Sequence, residues 1–363
     1  MIASNKDILE FFFDGVHRAV RKMTPAEKNE HEHLFTDEKQ YAPTKGSFER
    51  GWTYGFVGTK FFSAFIALAS DSKEQMLFHE LRYKGKTLAL GECICDAEHK
   101  GRKMSIAEKE RKLEWTGSPP EYEVSLELKG EKGSLKFLYK FSRISKKIGF
   151  YRCVYRTFNQ MLAYWFLSPM KAALQITGDG DLSEFKLGEF EELVNTTIET
   201  NFAYTENVKI LVPMIQMGWY WHFLNCYEGE DWINPSKIVG FMDLFFLDKK
   251  RQMLLPLNFQ MYYVDAKTGA FRVFGEAQCE LKWEKDAAEF KANELEKHVS
   301  FQVKNSSPVN TRQIRGKKFY GGVTVQNIDY SSFSNEGTAR IGRKKYNVIG
   351  TSEITGREHS VWI

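Results

Sequence analysis

The chain has 363 residues, of which 42% are hydrophobic and 27% charged. Those proportions exclude wholesale disorder, collagen-like sequence and a bundle of membrane-spanning helices. The formal charge of +4 is too small on so long a chain to indicate nucleic acid, and the outlying feature is 15% aromatic residues, which favour strands and line apolar ligand sites.

Residues 5–22 place Ile8, Leu9, Phe12, Phe13, Val16 and Val20 at three- and four-residue spacing, which predicts an amphipathic helix. Ser4 and Asp7 stand where a capping box would start it. Two roles are open to this helix. It docks on the body of the fold, or it makes peripheral contact with a membrane through Arg18, Arg21 and Lys22. Asp7, Glu10 and Asp14 weaken attraction to anionic lipid and favour docking; they also interrupt any signal-peptide-like apolar run. Residues 23–46 are polar and read as an arm, in which His31-Glu32-His33 is a solvated triplet rather than a metal chelate.

From Gly51 the pattern becomes period two. Trp52, Tyr54 and Phe56 alternate with Thr53, Gly55 and Val57. Short strand-like runs follow, separated by turn signals at Asp71-Ser72, Lys84-Gly85, Gly117-Ser118-Pro119-Pro120 and Gly130-Glu131-Lys132-Gly133. Further runs at Phe241–Leu247, Met253–Val264 and Phe271–Trp283 are divided by Asp248-Lys249-Lys250 and Asp265-Ala266-Lys267-Thr268-Gly269. A second helix is expected at residues 286–297, docking by Phe290 and Leu295. Basic stretches at His99–Lys112, Ser145–Arg152 and Arg340–Lys345 read as solvated loop tips, with an anionic surface as the alternative.

An internal repeat refines the fold. Gly51-Trp52-Thr53-Tyr54-Gly55-Phe56 matches Gly218-Trp219-Tyr220-Trp221-His222-Phe223. The expected architecture is all-β: two antiparallel barrels in tandem behind the N-terminal helix, with residues 1–46 as helix and arm, 47–190 as the first barrel and 191–363 as the second. Gly178-Asp179-Gly180-Asp181 would lie in the linking region as a turn, since it lacks the ligand spacing of a calcium loop.

Cys93, Cys95, Cys153, Cys226 and Cys279 are scattered, without zinc spacing, and read as reduced thiols in a cytoplasmic setting. There is no Walker loop, G-x-G-x-x-G, G-x-S-x-G or His-Glu-x-x-His, so no cofactor or metal is expected. His79 and Glu80 alternate along a strand and should face opposite ways. The positive features are the aromatic stripes Trp52, Tyr54, Phe56 and Trp219, Trp221, Phe223, which either pack a core or line an apolar cavity. Asp243, inside Gly240-Phe241-Met242-Asp243-Leu244-Phe245-Phe246-Leu247, is an acid in apolar surroundings, suited to protonating an alkene or polarising a carbonyl, or else a structural Asp. Phe241, Phe245 and Tyr220 extend the aromatic set of ligand contacts; His222, opposite Trp219 and Trp221, belongs either to the site or to the surface.

Lys45-Gly46-Ser47-Phe48-Glu49-Arg50-Gly51-Trp52-Thr53-Tyr54 resembles the opening strand of the tocopherol cyclases. Gly218-Trp219-Tyr220 through Asn225-Cys226-Tyr227-Glu228-Gly229 resembles a later segment of that family, with Asn225 and Glu228 in place of its Glu and His. Phe319-Tyr320-Gly321-Gly322-Val323-Thr324-Val325, then Glu336-Gly337-Thr338-Ala339, resembles the closing strands of the hydroxyneurosporene synthase group, which includes carotenoid hydratases, fungal Diels–Alderase-type cyclases and lipid-binding survival factors. The resemblance implies paired lipocalin-like (calycin) barrels holding a terpenoid, polyene, polyketide or lipid. It also implies cofactor-free cyclisation, hydration or isomerisation, with Glu49, which resembles the family's Glu in its opening strand, as a second acid or a structural partner. A non-catalytic carrier of a hydrophobic ligand is the alternative, and barrels filled by their own side chains are a third reading.

Overall fold

The computed structural model describes residues 20–22, 50–71, 75–100, 103–118, 121–144, 151–157, 160–210, 217–229, 232, 234–247, 253–268, 271–275, 279–284, 287–294, 297–305, 310–314 and 328–355. These residues are overwhelmingly extended. The first sheet contains β1 (Val20–Lys22), β2 (Arg50–Gly58), β3 (Phe62–Asp71), β4 (Gln75–Tyr83), β5 (Lys86–Ala89), β6 (Cys93–Cys95), β7 (Glu98–Lys100), β8 (Lys103–Ala107), β9 (Arg111–Ser118), β10 (Glu121–Lys129), β11 (Gly133–Arg143), β12 (Tyr151–Thr157), β13 (Gln160–Gly180) and β14 (Thr196–Ile210). The second contains β15 (Met217–Tyr227), β16 (Lys237–Leu247), β17 (Met253–Asp265), β18 (Phe271–Gly275), β19 (Cys279–Glu284), β20 (Ala287–Glu294), β21 (Lys297–Asn305), β22 (Asn310–Ile314), β23 (Ile328–Ile341) and β24 (Lys344–Thr355). The chain divides into two compact units, one formed by Val20–Val154 with Met161–Val212, the other containing Pro213–Ile363.

Alternation of apolar and polar residues produces these strands. Along β10, Tyr122, Val124, Leu126 and Leu128 are buried while Glu121, Glu123 and Lys129 are exposed. The turns follow local chemistry. Lys84 and Gly85 both take positive φ, as a two-residue hairpin requires. Asp265 Oδ1 accepts the amides of Lys267 and Thr268 at 3.0 and 2.8 Å, closing the turn after β17.

The first sheet runs β5-β4-β3-β2-β14-β13-β11-β10-β9-β8-β7 and the second β18-β17-β16-β15-β24-β23-β21-β20-β19. Along both orders every pairing is antiparallel. The order β5 to β9 corresponds strand for strand to β18 to β19, with the opening strand of each unit (β2, β15) beside its closing strand (β14, β24), while β8 and β7 extend the first order alone. β12 on β13 is matched by β22 on β23. The sequence repeat is therefore a repeat of topology. Both sheets curl. β18 and β19, at opposite ends of the second order, are separated in the chain only by residues 276–278, a reach of roughly 14 Å at most. In the first sheet only Asp96 and Ala97 join β6, which pairs β4, to β7 at the far end.

Four expectations change. The helix expected at 286–297 is β20 and the start of β21: Ala, Glu and Lys favour helix, but pairing of Ala287–Glu294 with both β19 and β21 overrides that weak preference. The end of the helix expected at 5–22 is a strand at Val20–Lys22, paired with β12; residues 5–19 lie outside the described residues. Gly178-Asp179-Gly180-Asp181 does not link the units. Gly178–Gly180 finish β13 against β11, and Asp181 accepts the Ser183 amide at 2.9 Å at the start of a 3-10 turn. The first unit runs past the expected limit at 190, because β14 supplies the strand that pairs β2.

Among the described residues, no helix is long and apolar enough to cross a membrane. Cys93, Cys95 and Cys226 are free thiols, and burial pushes Cys95 up to about 12.

Candidate functional site

The hollow of the first sheet is filled by a core to which many strands contribute, β11 with its largest side chains among them. Alternate residues of β11, Leu135, Phe137, Tyr139 and Phe141, point inward and are buried. Tyr139 and Phe141 stack at 6.0 Å. Phe141 reaches β2, where a Cβ on Gly55 would stand 2.6 Å from its ring, so only glycine leaves room. From β4, the fully buried His79 meets Tyr139 Oη with its Nε2 at 2.6 Å and packs edge-on against Phe137 at 4.3 Å. Burial holds the imidazole neutral, with its pKa lowered to about 3, and raises that of the Tyr139 hydroxyl. Each fully buried aromatic here contributes on the order of 1.5–3 kcal/mol by removal from water. At this level the hollow is solid.

β2 faces that hollow with Thr53, Gly55 and Val57, not with Phe56. Val57 belongs to the core, whereas Phe56 on the outer face stacks on Tyr204 at 4.9 Å and meets Phe202 edge-on at 5.2 Å. Gly58 makes that cluster possible, since a Cβ there would lie 2.7 Å from both Phe56 and Phe202. The same face carries buried acids. Glu206, 4% exposed, is the cross-strand partner of Tyr54 on β14. Glu80, also 4% exposed, accepts both Nε and Nη2 of Arg82 at 2.6 Å on β4. His79 and Glu80 thus serve opposite faces, as their alternation requires. Trp52 and Tyr54 are placed by register alone, opposite Val208 and Glu206. Glu49 lies outside the described residues, as does the His31-Glu32-His33 triplet.

In the second unit, every residue of β15 from Trp221 to Tyr227 is buried. Trp221 and Phe223 stack at 6.4 Å with 12° between their planes, and Asn225 Nδ2 donates to Tyr227 Oη at 3.2 Å farther along that face. Their partners on β24 are Glu353 opposite Trp221 and Thr351 opposite Phe223. The other face, equivalent by strand order and repeat to the hollow of the first sheet, begins with a polar rung. His222 and Ser352 are cross-strand partners with no exposed surface. Asn335, on β23, is also buried. On the next rung Leu224 lies over Gly350, whose added Cβ would meet it at 2.2 Å, and Asn335 is the β23 partner of Gly350. Burial lowers the His222 pKa to about 3, so the ring is neutral, and the histidine is no surface residue.

Register places several predicted residues on this rung and the next two along the same face. Phe241 is the β16 partner of His222, Asp243 the partner of Tyr220, and Phe245 the partner of Gly218. Asp243 also pairs with Phe259 on β17. Trp219 and Trp221 occupy the alternate positions of β15, so the predicted set divides between two faces. Trp219, Tyr220, Phe241, Asp243 and Phe245 are placed by backbone register only. Glu206, Glu353 and Ser352 were not singled out from sequence. The available signal was a carboxylate or hydroxyl at a buried phase of a strand, and that phase is visible only once the partner strand is known.

Chemically, the two faces offer aromatic planes for an apolar skeleton, carboxylates beside them, and a neutral imidazole with a buried hydroxyl. These suit hydrogen bonding to, and proton exchange with, a hydrophobic molecule. Among the described residues, no group of three His, Cys, Asp or Glu converges on a metal-sized site.

No family model and no curated protein matches the sequence. Solved structures do match the fold. A putative AttH from Nitrosomonas europaea aligns with a TM-score of 0.55 at 13% identity, over 93% of this chain and 99% of its own. CghA aligns with a TM-score of 0.54 at 9% identity, over 88% of this chain and 97% of its own. CghA crystallised with Sch210972 aligns with a TM-score of 0.50 at 8% identity, over 90% and 98%. At these identities the likeness is one of fold: the chain shares its architecture, nearly end to end, with the putative AttH and CghA.

Proposed function

We propose that the protein binds a hydrophobic small molecule, of terpenoid, polyene, polyketide or lipid type, and converts it without a cofactor by cyclisation, hydration or isomerisation. In this reading each curled sheet is a lipocalin-like barrel. The observation that carries the proposal is the rung of the second unit, where His222 and Ser352 are paired at zero exposure, one step from the Tyr220–Asp243 pair. A buried imidazole and hydroxyl beside an acid form a polar group set inside an apolar face, the kind of cluster that functional sites use. Asp243 is the proton donor, the neutral His222 positions or accepts a proton, and Trp52, Tyr54, Trp219, Tyr220, Trp221, Phe241 and Phe245 are the ligand contacts. Glu49 is a second acid or a structural partner, as the family resemblance implies. CghA shares the fold and has been crystallised with Sch210972, which supports ligand binding by analogy of architecture only. The free thiols Cys93, Cys95 and Cys226 suit a cytoplasmic setting.

The filled hollow of the first sheet argues against a ligand at the level of Tyr139, and directs attention to the aromatic faces and to the second unit. The carrier reading needs the same apolar surfaces but no acid. Mass spectrometry of small molecules extracted from the purified protein tests both. Recovery of a hydrophobic compound supports binding, and its conversion on renewed incubation supports the enzyme over the carrier. Protein that carries no such compound and takes up none from a lipid extract sinks the proposal.

A further inference from the structure

Two thiols of the first unit lie together. Cys93 and Cys95 are alternate residues of the three-residue strand β6, so they project from one face, while Ile94 between them points the other way and is 66% exposed. β6 pairs with β4 through Leu77 opposite Cys93 and Gln75 opposite Cys95. Gln75 Oε1 also accepts the Ala97 amide at 2.8 Å, fixing the chain where it leaves the strand. The Cys95 thiol hydrogen-bonds the Cys93 sulfur, and the Leu77 backbone N–H donates to both sulfurs. Cys95 is buried in the core, whereas Cys93 is half-buried and keeps the pair within reach of solvent. The charged groups that act on them are Arg111 and Glu108, themselves paired at 3.6 Å. The guanidinium favours the Cys93 thiolate, and Glu108 opposes both thiolates.

A dithiol of this kind closes into a disulfide or holds a soft ion. Residues two apart in a strand are separated by roughly 6.6 Å, the upper edge of the Cα spacing that a disulfide tolerates. Their Cβ bonds also run side by side rather than toward each other. An ion between the sulfurs bridges a longer gap than a sulfur–sulfur bond. Structural zinc and iron–sulfur clusters take four ligands, and among the described residues no third His, Cys, Asp or Glu joins the pair. Two soft thiolates without a third ligand suit Cu(I). We propose that Cys93 and Cys95 form a two-thiolate site for Cu(I). Binding forms two sulfur–copper bonds and releases both thiol protons to solvent, with no change of oxidation state. The Leu77 N–H and the Arg111 guanidinium stabilise the negative charge gathered on the sulfurs. The site lies in the first unit and is independent of the hydrophobic-ligand reading.

The test uses the full-length protein, reduced and kept free of oxygen, titrated with Cu(I) held by the chromogenic chelator bicinchoninate. Transfer of the ion is read from the loss of the chelate colour. Wild type should withdraw Cu(I) from the chelator. Cys93→Ser and Cys95→Ser should each lose that ion, while Cys226→Ser, which alters a buried thiol of the second unit, should retain it. If Cys95→Ser does not fold, Cys93→Ser decides alone, since its position is half-buried and the smaller change is tolerated there. A wild-type protein that leaves Cu(I) on the chelator overturns the site, as does a folded Cys93→Ser variant that withdraws as much as wild type. Reduced protein that ignores Cu(I) but forms a Cys93–Cys95 disulfide with oxidised glutathione, found by peptide mass mapping, also overturns it and makes the pair a redox couple instead.

Discussion

The Nε2 atom of His79 lies 2.6 Å from the hydroxyl oxygen of Tyr139, although β3, β2, β14 and β13 separate their strands in the sheet. Laid flat, strands five places apart would be roughly 24 Å from one another. The bond therefore exists only because the sheet curls, and it crosses the hollow that the curl makes. Tyr139→Phe removes the hydroxyl but leaves the imidazole buried, and should destabilise the protein by about 1–3 kcal/mol in chemical denaturation. His79→Leu with Tyr139→Phe removes both polar groups and should cost clearly less than the sum of the single changes. Additive costs would mean that the two side chains are independent.

The same histidine, with His222, predicts a pH dependence. Both rings are held near a pKa of about 3 by burial, against about 6.5 in an unfolded chain. As pH falls below that unfolded value, the unfolded state takes up protons that the folded state refuses. Stability is therefore fully present above the unfolded pKa and is lost as pH falls toward the folded one. The slope approaches about 1.4 kcal/mol per pH unit for each histidine. Between pH 6 and pH 5, before most carboxylates titrate, His79→Leu should remove about half of the dependence due to these two residues. An unchanged slope would show that His79 is protonated without loss of fold.

Gly55 offers a separate check on the filled hollow. Its side-chain direction is occupied by the ring of Phe141, at 2.6 Å from an added Cβ. Gly55→Ala should cost roughly 1–3 kcal/mol through overpacking. Adding Phe141→Leu should recover part of that loss, although Phe141→Leu alone is destabilising. A double variant no better than Gly55→Ala would mean that Phe141 does not set the limit there.

Much of the fold was legible because it rests on local chemistry. Alternation marked β2, Lys84-Gly85 and Asp265–Gly269 marked the turns after β4 and β17, and the paired Gly-Trp segments marked the two units. What failed was decided by partners distant in the chain. Ala287–Glu294 has helix-forming composition and becomes a strand because β19 and β21 flank it. The Trp52, Tyr54, Phe56 stripe identified a face, but not that the hollow belongs to Thr53, Gly55 and Val57; Phe141, more than eighty residues later, occupies that space. Glu206 carries no motif. Its burial beside Phe56 and Tyr204 is a property of the register between β14 and β2.

The last prediction separates the aromatic face from the acid. Trp221 is 3% exposed and stacked on Phe223, while Asp243 is reached from the other face of β15 through its pairing with Tyr220. If Trp221 supports the ligand skeleton, Trp221→Ala should weaken the extracted compound by roughly 1–3 kcal/mol in the folded fraction, the scale of a lost buried aromatic contact. Asp243→Asn retains the shape of the side chain and removes the acidic proton. Binding should then survive while turnover falls by about 10²–10⁴-fold, the range for a general acid. A structural Asp243 gives a different pattern: lower stability, with turnover per folded molecule near wild type. Equal losses of affinity in both variants, with no separate loss of turnover, would favour the carrier, because a carrier needs the aromatic face and has no use for the proton.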